Sequence, residues 1–280
     1  MIIKAKVLYS ILILFLNTMK ISNIFDELEI PTIEEIIQKY CMPHVVSVEK
    51  DCIILGNINC IGSDGQVFES YDKLRVDKDI VRGTDGNHIS FTPYNAASHF
   101  EKQGMFLPSM ALSCNIIKVL YENRKDKEVK KVLMQYSNKC NDYSCHAQNT
   151  LVDWDSKKII HYPCDSDFTS NSGGDNINRS KNRTKLSFNN KGFKNMPLED
   201  TLKIDNFKAF VQDLTGLQQP ETMVDIGKHF KKPAHIWISD SSDVRAAWLG
   251  CGDDSNDGNF DINANNSLGN YDAARGVRSH

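Results

Sequence analysis

A chain of 280 residues, 40% of them apolar and 25% charged, is long enough to bury a proper core as one large domain or two modest ones. Its formal net charge of −3 leaves no basic footprint for nucleic acid or an anionic membrane surface, so no nucleic-acid partner is expected. Its eight cysteines are scattered at 41, 52, 60, 114, 140, 145, 164 and 251, which fits buried thiols better than a disulfide scaffold.

Lys4 and Lys6 precede an apolar run, Val7 to Leu16, with the length of a signal peptide's charged and apolar regions. The run is too short to cross a bilayer as a helix, so no membrane span is expected. No small-x-small cleavage site follows, and Met19 opens MKISNIFDELEIPTIEEI, which reads as a natural start. Residues 1–18 are thus a signal peptide or an over-extended start, the second being favoured. Initiation at Met19 would keep the protein in the cytoplasm, and initiation at Met1 would make it secreted or carry it to the cell surface.

Residues 19–90 read as an N-terminal helix followed by a β-rich segment. Ile33, Ile36 and Ile37 share one face of a short helix that Thr32 can cap. Short strands are expected at 44–48, 52–62, 66–70, 78–83 and 88–92, with Asp64-Gly65 and Asp85-Gly86 as hairpin marks.

Residues 91–280 read as a second unit. Thr92-Pro93 starts a helix with Thr as cap, Ala96, Ala97 and Phe100 inward and Gly104 as stop. Ser109 caps the next helix, striped by Met110, Cys114, Ile117, Leu120 and Tyr121, and continued past a charged bend by Val129, Val132, Leu133 and Tyr136. Residues 149–154 and 158–163 form a hairpin around Asp155-Ser156. Residues 164–200 are a polar surface insertion with no core of their own. Phe207, Phe210, Val211 and Leu214 make a helix that Asp205 can cap and Gly216 can end, and Met223, Ile226 and Phe230 make another. Three closing strands follow, which makes the class α+β.

The closing stretch alternates framework and loop. HIWIS (235–239), RAAWLGC (245–251) and AARGVR (273–278) are framework. Of the eighteen residues from Asp253 to Asn270, fourteen are Asn, Asp, Ser or Gly. Yet Phe260, Ile262 and Ala264 alternate there with Asp261, Asn263 and Asn265, the period of a half-buried strand. The outer face is then either an ordinary exposed edge with Asn-rich turns or a surface made to touch something.

Other chemistry is weaker. Cys140, Cys145, His146, His161 and Cys164 are of zinc-ligand type but lack standard spacing, and buried thiols around a hairpin are the simpler reading. No cysteine is marked as an activated nucleophile. Gly173-Gly174 does not lie between strand and helix, and the Asp253, Asp254 and Asp257 group lacks the closing Glu of a calcium loop. Trp154, Trp237 and Trp248 read as core or half-core anchors. No metal and no cofactor is expected.

Three features together carry a resemblance. The helix at 94–103 followed by GMFLPS (104–109) resembles the A-x6-G-x-x-L-P-[ST] signature opening the second helix of many bacterial C-type-lectin-like domains. The closing run of Trp237-x-Ser239, RAAWLGC, a polar strand and AARGVR resembles the end of the same domains. More narrowly, the chain resembles the variable proteins of diversity-generating retroelements, especially those of archaea and their viruses. The resemblance spans roughly 91 to 278 and implies a C-type lectin-like fold with two helices, short antiparallel sheets, a polar insertion at 164–200 and a variable region at about 235–278.

In that family a reverse transcriptase mutates template adenines, mostly in Asn codons, so the displayed positions sample Asn, Asp, Ser, Gly, Tyr and their like. The function implied is display of a diversified surface to a macromolecular target, a protein, rather than catalysis. The ligand-binding residues so implied are Ser239, Ser241, Asp243, Asp253, Asp254, Ser255, Asn256, Asp257, Asn259, Asp261, Asn263, Asn265, Asn266, Asn270 and Tyr271. The chain lacks the EPN, QPD and WND motifs of calcium-dependent sugar sites. Two other readings stay open. One is an enzyme of the formylglycine-generating or sulfoxide-synthase type on the same fold, although the GGSW-like strand and the cysteine-pair or three-histidine site of that class are missing. The other is a structural protein whose polar block has no partner.

Overall fold

The computed structural model describes residues 42–137, 144–162, 184–188, 196–239, 242–251 and 258–279. The first sheet is antiparallel and built from β1 (His44–Val48), β2 (Cys52–Ile61) and β3 (Val67–Asp77), closed at its far edge by β11 (Val277–Ser279). Ile53, Leu55, Ile58 and Cys60 of β2 point into the core, opposite Leu74 and Val76 of β3.

The second sheet has seven strands. They are β4 (Ser144–Asp153), β5 (Lys158–His161), β6 (Thr184–Ser187), β7 (Met196–Pro197), β8 (Ala234–Trp237), β9 (Val244–Cys251) and β10 (Phe260–Asn266). Their spatial order is β6-β5-β4-β9-β10-β8-β7. Every pairing is antiparallel except β10 with β8, which is parallel.

Among the described residues there are six helices: α1 (Pro93–Glu101), α2 (Met110–Glu122), α3 (Lys127–Met134), α4 (Leu198–Thr201), α5 (Asp205–Thr215) and α6 (Glu221–His229). The α+β class therefore stands, with six helices among the described residues where the resemblance implied two and one parallel pairing within otherwise antiparallel sheets. Local chemistry sets the helix ends. The Thr92 hydroxyl accepts the Asn95 N–H at 3.2 Å, and the Ser109 hydroxyl accepts that of Leu112 at 3.0 Å. The Asp126 carboxylate accepts the Glu128 and Val129 N–H groups, so α3 is a new helix rather than a continuation of α2. Asp205 is not a cap. It sits in the first turn of α5 behind Ile204, where a negative charge suits the helix dipole.

Two expected strands are missing. Residues 78–83 and 88–92 make only the isolated bridges Arg82–His88 and Phe91–Asp272. Their backbone groups turn to the C-terminal segment instead, with Val81 N–H donating to the Ala274 carbonyl and Phe91 N–H to that of Asp272. The insertion also departs from expectation. β6 extends the second sheet, Phe188 packs against Trp154 and Phe210, and Leu198 is fully buried. An apolar side chain every ten residues or so is enough to fasten a polar segment to a core.

Ten of the thirteen residues of α2 are buried, and it touches β2 of the first sheet, β4 and β9 of the second, and α3, α5 and α6. Its polar groups all have partners. The Ser109 hydroxyl donates to Glu69 at 2.7 Å, the Thr150 hydroxyl accepts the Met110 N–H at 2.9 Å, and Ser113 bonds Gln148. Asn115 donates to the Gly216 carbonyl at 3.1 Å, holding the end of α5. Gly216 closes that helix at φ 61°, and a Cβ there would lie 2.8 Å from the Ala111 Cβ and 2.9 Å from the Cys60 Cβ. Gly216→Ala should therefore cost roughly 2–4 kcal/mol, combining a left-handed backbone with overpacking. Chemical denaturation measures this, and a loss below about 0.5 kcal/mol would contradict the packing described.

Candidate binding face

β10 is a central strand, not an edge. Phe260, Asp261, Ile262 and Asn263 pair with Ala234, His235, Ile236 and Trp237 of β8 on one side. The same four pair with Cys251, Gly250, Leu249 and Trp248 of β9 on the other. Cross-strand partners share a face, so Phe260, Ile262 and Ala264 enter the core with Ile236 and Leu249. Behind them the Trp154 indole donates to the Ala264 carbonyl at 3.0 Å.

The opposite face carries a row across three strands: Trp237, Asn263 and Trp248. At about 4.8 Å between strands, the two indoles spring from backbones roughly 10 Å apart with the Asn263 amide between them. Both tryptophans are half-buried. The next row holds His235, Asp261 and Gly250, and the Trp237 indole N–H reaches back to the Asp261 carboxylate at 2.9 Å.

The expected alternation of buried and open positions is only half present. Asp261 and Asn263 are 6% and 8% exposed, so they are not free surface positions. A strand hydrogen-bonded on both sides, with indoles standing over it, leaves short side chains little access to water. Asn263 turns its carbonyl oxygen onto the Asn265 N–H at 2.6 Å, where the register shifts and gives the extra residue a bond of its own. Asn266 is buried and donates to Asp272 at 3.0 Å, while Asn270 donates to the Asn266 carbonyl oxygen. This Asn270–Asn266–Asp272 ladder ties off the turn after β10. Burial pushes the Asp272 carboxyl up to about 6, against the pull of the Asn266 amide.

The remaining candidates spread around this face. Ser239 is buried just beyond β8, and Asp243 is exposed and paired with Arg245 at 3.1 Å. Asn259 and Asn265 are half-buried, Asn270 is exposed, and Tyr271 is 62% exposed. Ser241, Asp253, Asp254, Ser255, Asn256 and Asp257 lie outside the described residues. Trp237 and Trp248, expected as core or half-core anchors, are the half-buried kind and stand on this face. Their offset from the Ile236, Ile238, Ala247 and Leu249 positions is the signal that places them there.

The zinc-type histidines serve the interior. The His161 Nε2–H donates to the Asp213 carbonyl at 2.9 Å, so Nδ1 accepts from the Thr150 hydroxyl at 2.8 Å, and the ring stacks on Phe68. Burial lowers it to about 4. His146 stacks on Tyr136, and burial with the nearby Arg275 charge lowers it to about 3. Cys140 and Cys164 lie outside the described residues. Cys52, Cys60, Cys114 and Cys251 are buried thiols. Among the described residues no three His, Cys, Asp or Glu side chains gather as a metal site, and no helix is long and apolar enough to cross a membrane. Comparison with family models, curated proteins and solved structures returns no match to this chain.

Two measurements follow. Ile262→Asp should cost roughly 2–4 kcal/mol by burying a carboxylate among apolar groups, Asn263→Ala about 1–2 kcal/mol by stranding the Asn265 N–H, and Asn265→Ser less than about 0.5 kcal/mol. Equal losses from all three in denaturant titrations would overturn the two-faced assignment of β10. The raised Asp272 carboxyl favours folding below pH 3.8, and that contribution is lost as pH rises through about 6. Asp272→Asn should therefore gain on the wild type by up to about 3 kcal/mol between pH 4 and pH 7. A thermal-melt difference that stays flat over this window would show that Asp272 is not held in a desolvated site.

Proposed function

We propose that this protein is a binding module with a C-type-lectin-like fold, presenting a retroelement-diversified face to a macromolecular target, a protein. It acts by holding a partner rather than by catalysis. The observation that supports this reading best is the Trp237–Asn263–Trp248 row: two half-buried indoles bracket an amide on a strand whose other face is anchored in the core. Aromatic anchors with short polar neighbours on a rigid scaffold are the pattern of antibody paratopes.

Burial divides the candidate residues by role. Asp243, Asn259, Asn265, Asn270 and Tyr271 have room to exchange side chains and form the contact rim. Asp261, Asn263 and Asn266 hold that rim in place, so their substitution changes the shape of the face as well as its chemistry.

Sequencing the locus and its siblings tests the reading. A near-identical repeat and a neighbouring reverse transcriptase gene are expected. Differences at template adenines should concentrate in the codons of Asp243, Asn259, Asn265, Asn270 and Tyr271 and spare Phe260, Ile262 and Ala264. Absence of the repeat, or differences spread evenly over core and rim codons, would sink it.

A further inference from the structure

Away from the binding face, a cleft of about 540 Å³ opens between the turn-side end of the first sheet, α1, α3 and Gly276. That volume falls in the range of small-molecule sites, roughly 300–1,000 Å³, but such sites are usually apolar. Here five cationic side chains and four acids line the walls.

Next to the lining Gly276, behind the cleft wall rather than in it, lies Arg275. Arg275 is 2% exposed, and its guanidinium donates to the Asp77 carbonyl and the Gln135 side chain, both cleft-lining residues. Among the described residues its Nε–H has no hydrogen-bond partner. Arg75, which lines the cleft and is part-exposed, is ion-paired with the Asp77 carboxylate at 3.7 Å. A buried charged donor without a partner has lost its hydration with nothing in exchange.

The four acids offset part of this charge: Glu128 is engaged by Lys78 at 3.2 Å, Asp77 faces the charges of Arg75, Arg275 and Arg278, and Asp51 and Asp79 complete the set. At the mouth, the exposed Lys50 and Lys131 make no ion pair among the described residues. With Arg275 counted, six cationic side chains stand against four acids at the cleft, within a chain of net charge −3.

We propose that this cleft is a binding site for a compact polyanion, a small molecule bearing phosphate groups or several carboxylates. One anionic group would meet the Arg75 guanidinium, backed by the buried charge of Arg275, and a second would meet Lys50 and Lys131 at the rim. Arg is suited to the first task by its fixed fork of donors, and Lys to the second by its reach.

Calorimetric titration of the full chain with pyrophosphate, and separately with citrate, at ionic strength held constant with sodium chloride tests this. Saturable binding is expected for at least one probe, weakened about tenfold in Lys131→Glu and in Lys50→Glu, which reverse a rim charge at exposed positions. Melting temperatures of both variants without ligand should match the wild type, confirming that the fold is intact. Binding of pyrophosphate alone assigns the site to phosphate chemistry, and binding of citrate alone assigns it to carboxylates. No binding of either probe, or binding that both variants leave unchanged, overturns the proposal.

Discussion

Helix α2 is buried over most of its length, ten of its thirteen residues, and that constraint organises the fold. A surface helix can leave its polar side chains and first N–H groups to water, but a helix between two sheets cannot. The buried polar groups along its first turns therefore reach other elements: Ser109 to β3, Met110 N–H and Ser113 to β4, Asn115 to the end of α5. These bonds fix the helix in rotation and along its axis, and both sheets are indexed against it. The cost of the arrangement appears at Glu69, a buried carboxyl held by neutral donors, the hydroxyls of Ser109 and Tyr71 and the Cys60 thiol, with its pKa pushed up to about 7 by desolvation.

The same logic governs the candidate binding face. A central strand has no spare backbone groups, so its polar side chains must be satisfied locally, by one another or by the indoles beside them. Asp261 is bonded to the Trp237 indole and Asn263 to the Asn265 N–H two residues on. What reaches outward is what the strand pushes to its margins: the two indoles and the turn carrying Asn270 and Tyr271. Rigidity beneath and variety at the rim are separate demands, and adjacent residues of one short segment meet them.

Much of this was legible in the sequence where the determinants are local. Thr92, Ser109 and Gly216 end their helices by chemistry within a few residues, and the alternation of Phe260, Ile262 and Ala264 marks a strand without knowledge of its neighbours. What failed was non-local. Nothing near β10 announces that β8 will lie parallel beside it, so a strand rich in Asn reads as an edge. Residues 78–92 have strand-like composition but spend their hydrogen bonds on a segment almost two hundred positions later. Trp237 and Trp248 read as core or half-core from their strand contexts, and only the registers of β8 and β9 show which face they take.

β11 pairs with β3 through Val277 opposite Val76, so the first sheet stays one strand short until its last member has been made. At roughly 5–20 residues per second, the ribosome needs about 10–40 s to supply the ~200 intervening residues. Throughout that time β3 offers a bare row of backbone donors and acceptors, the kind of edge that recruits strands from other chains. Along its open side β3 carries Arg75 and Asp77, side chains that are awkward for a foreign strand to cover. The nascent protein thus passes through a long interval in which charge at this edge, rather than hydrogen bonding, is what keeps neighbouring copies apart.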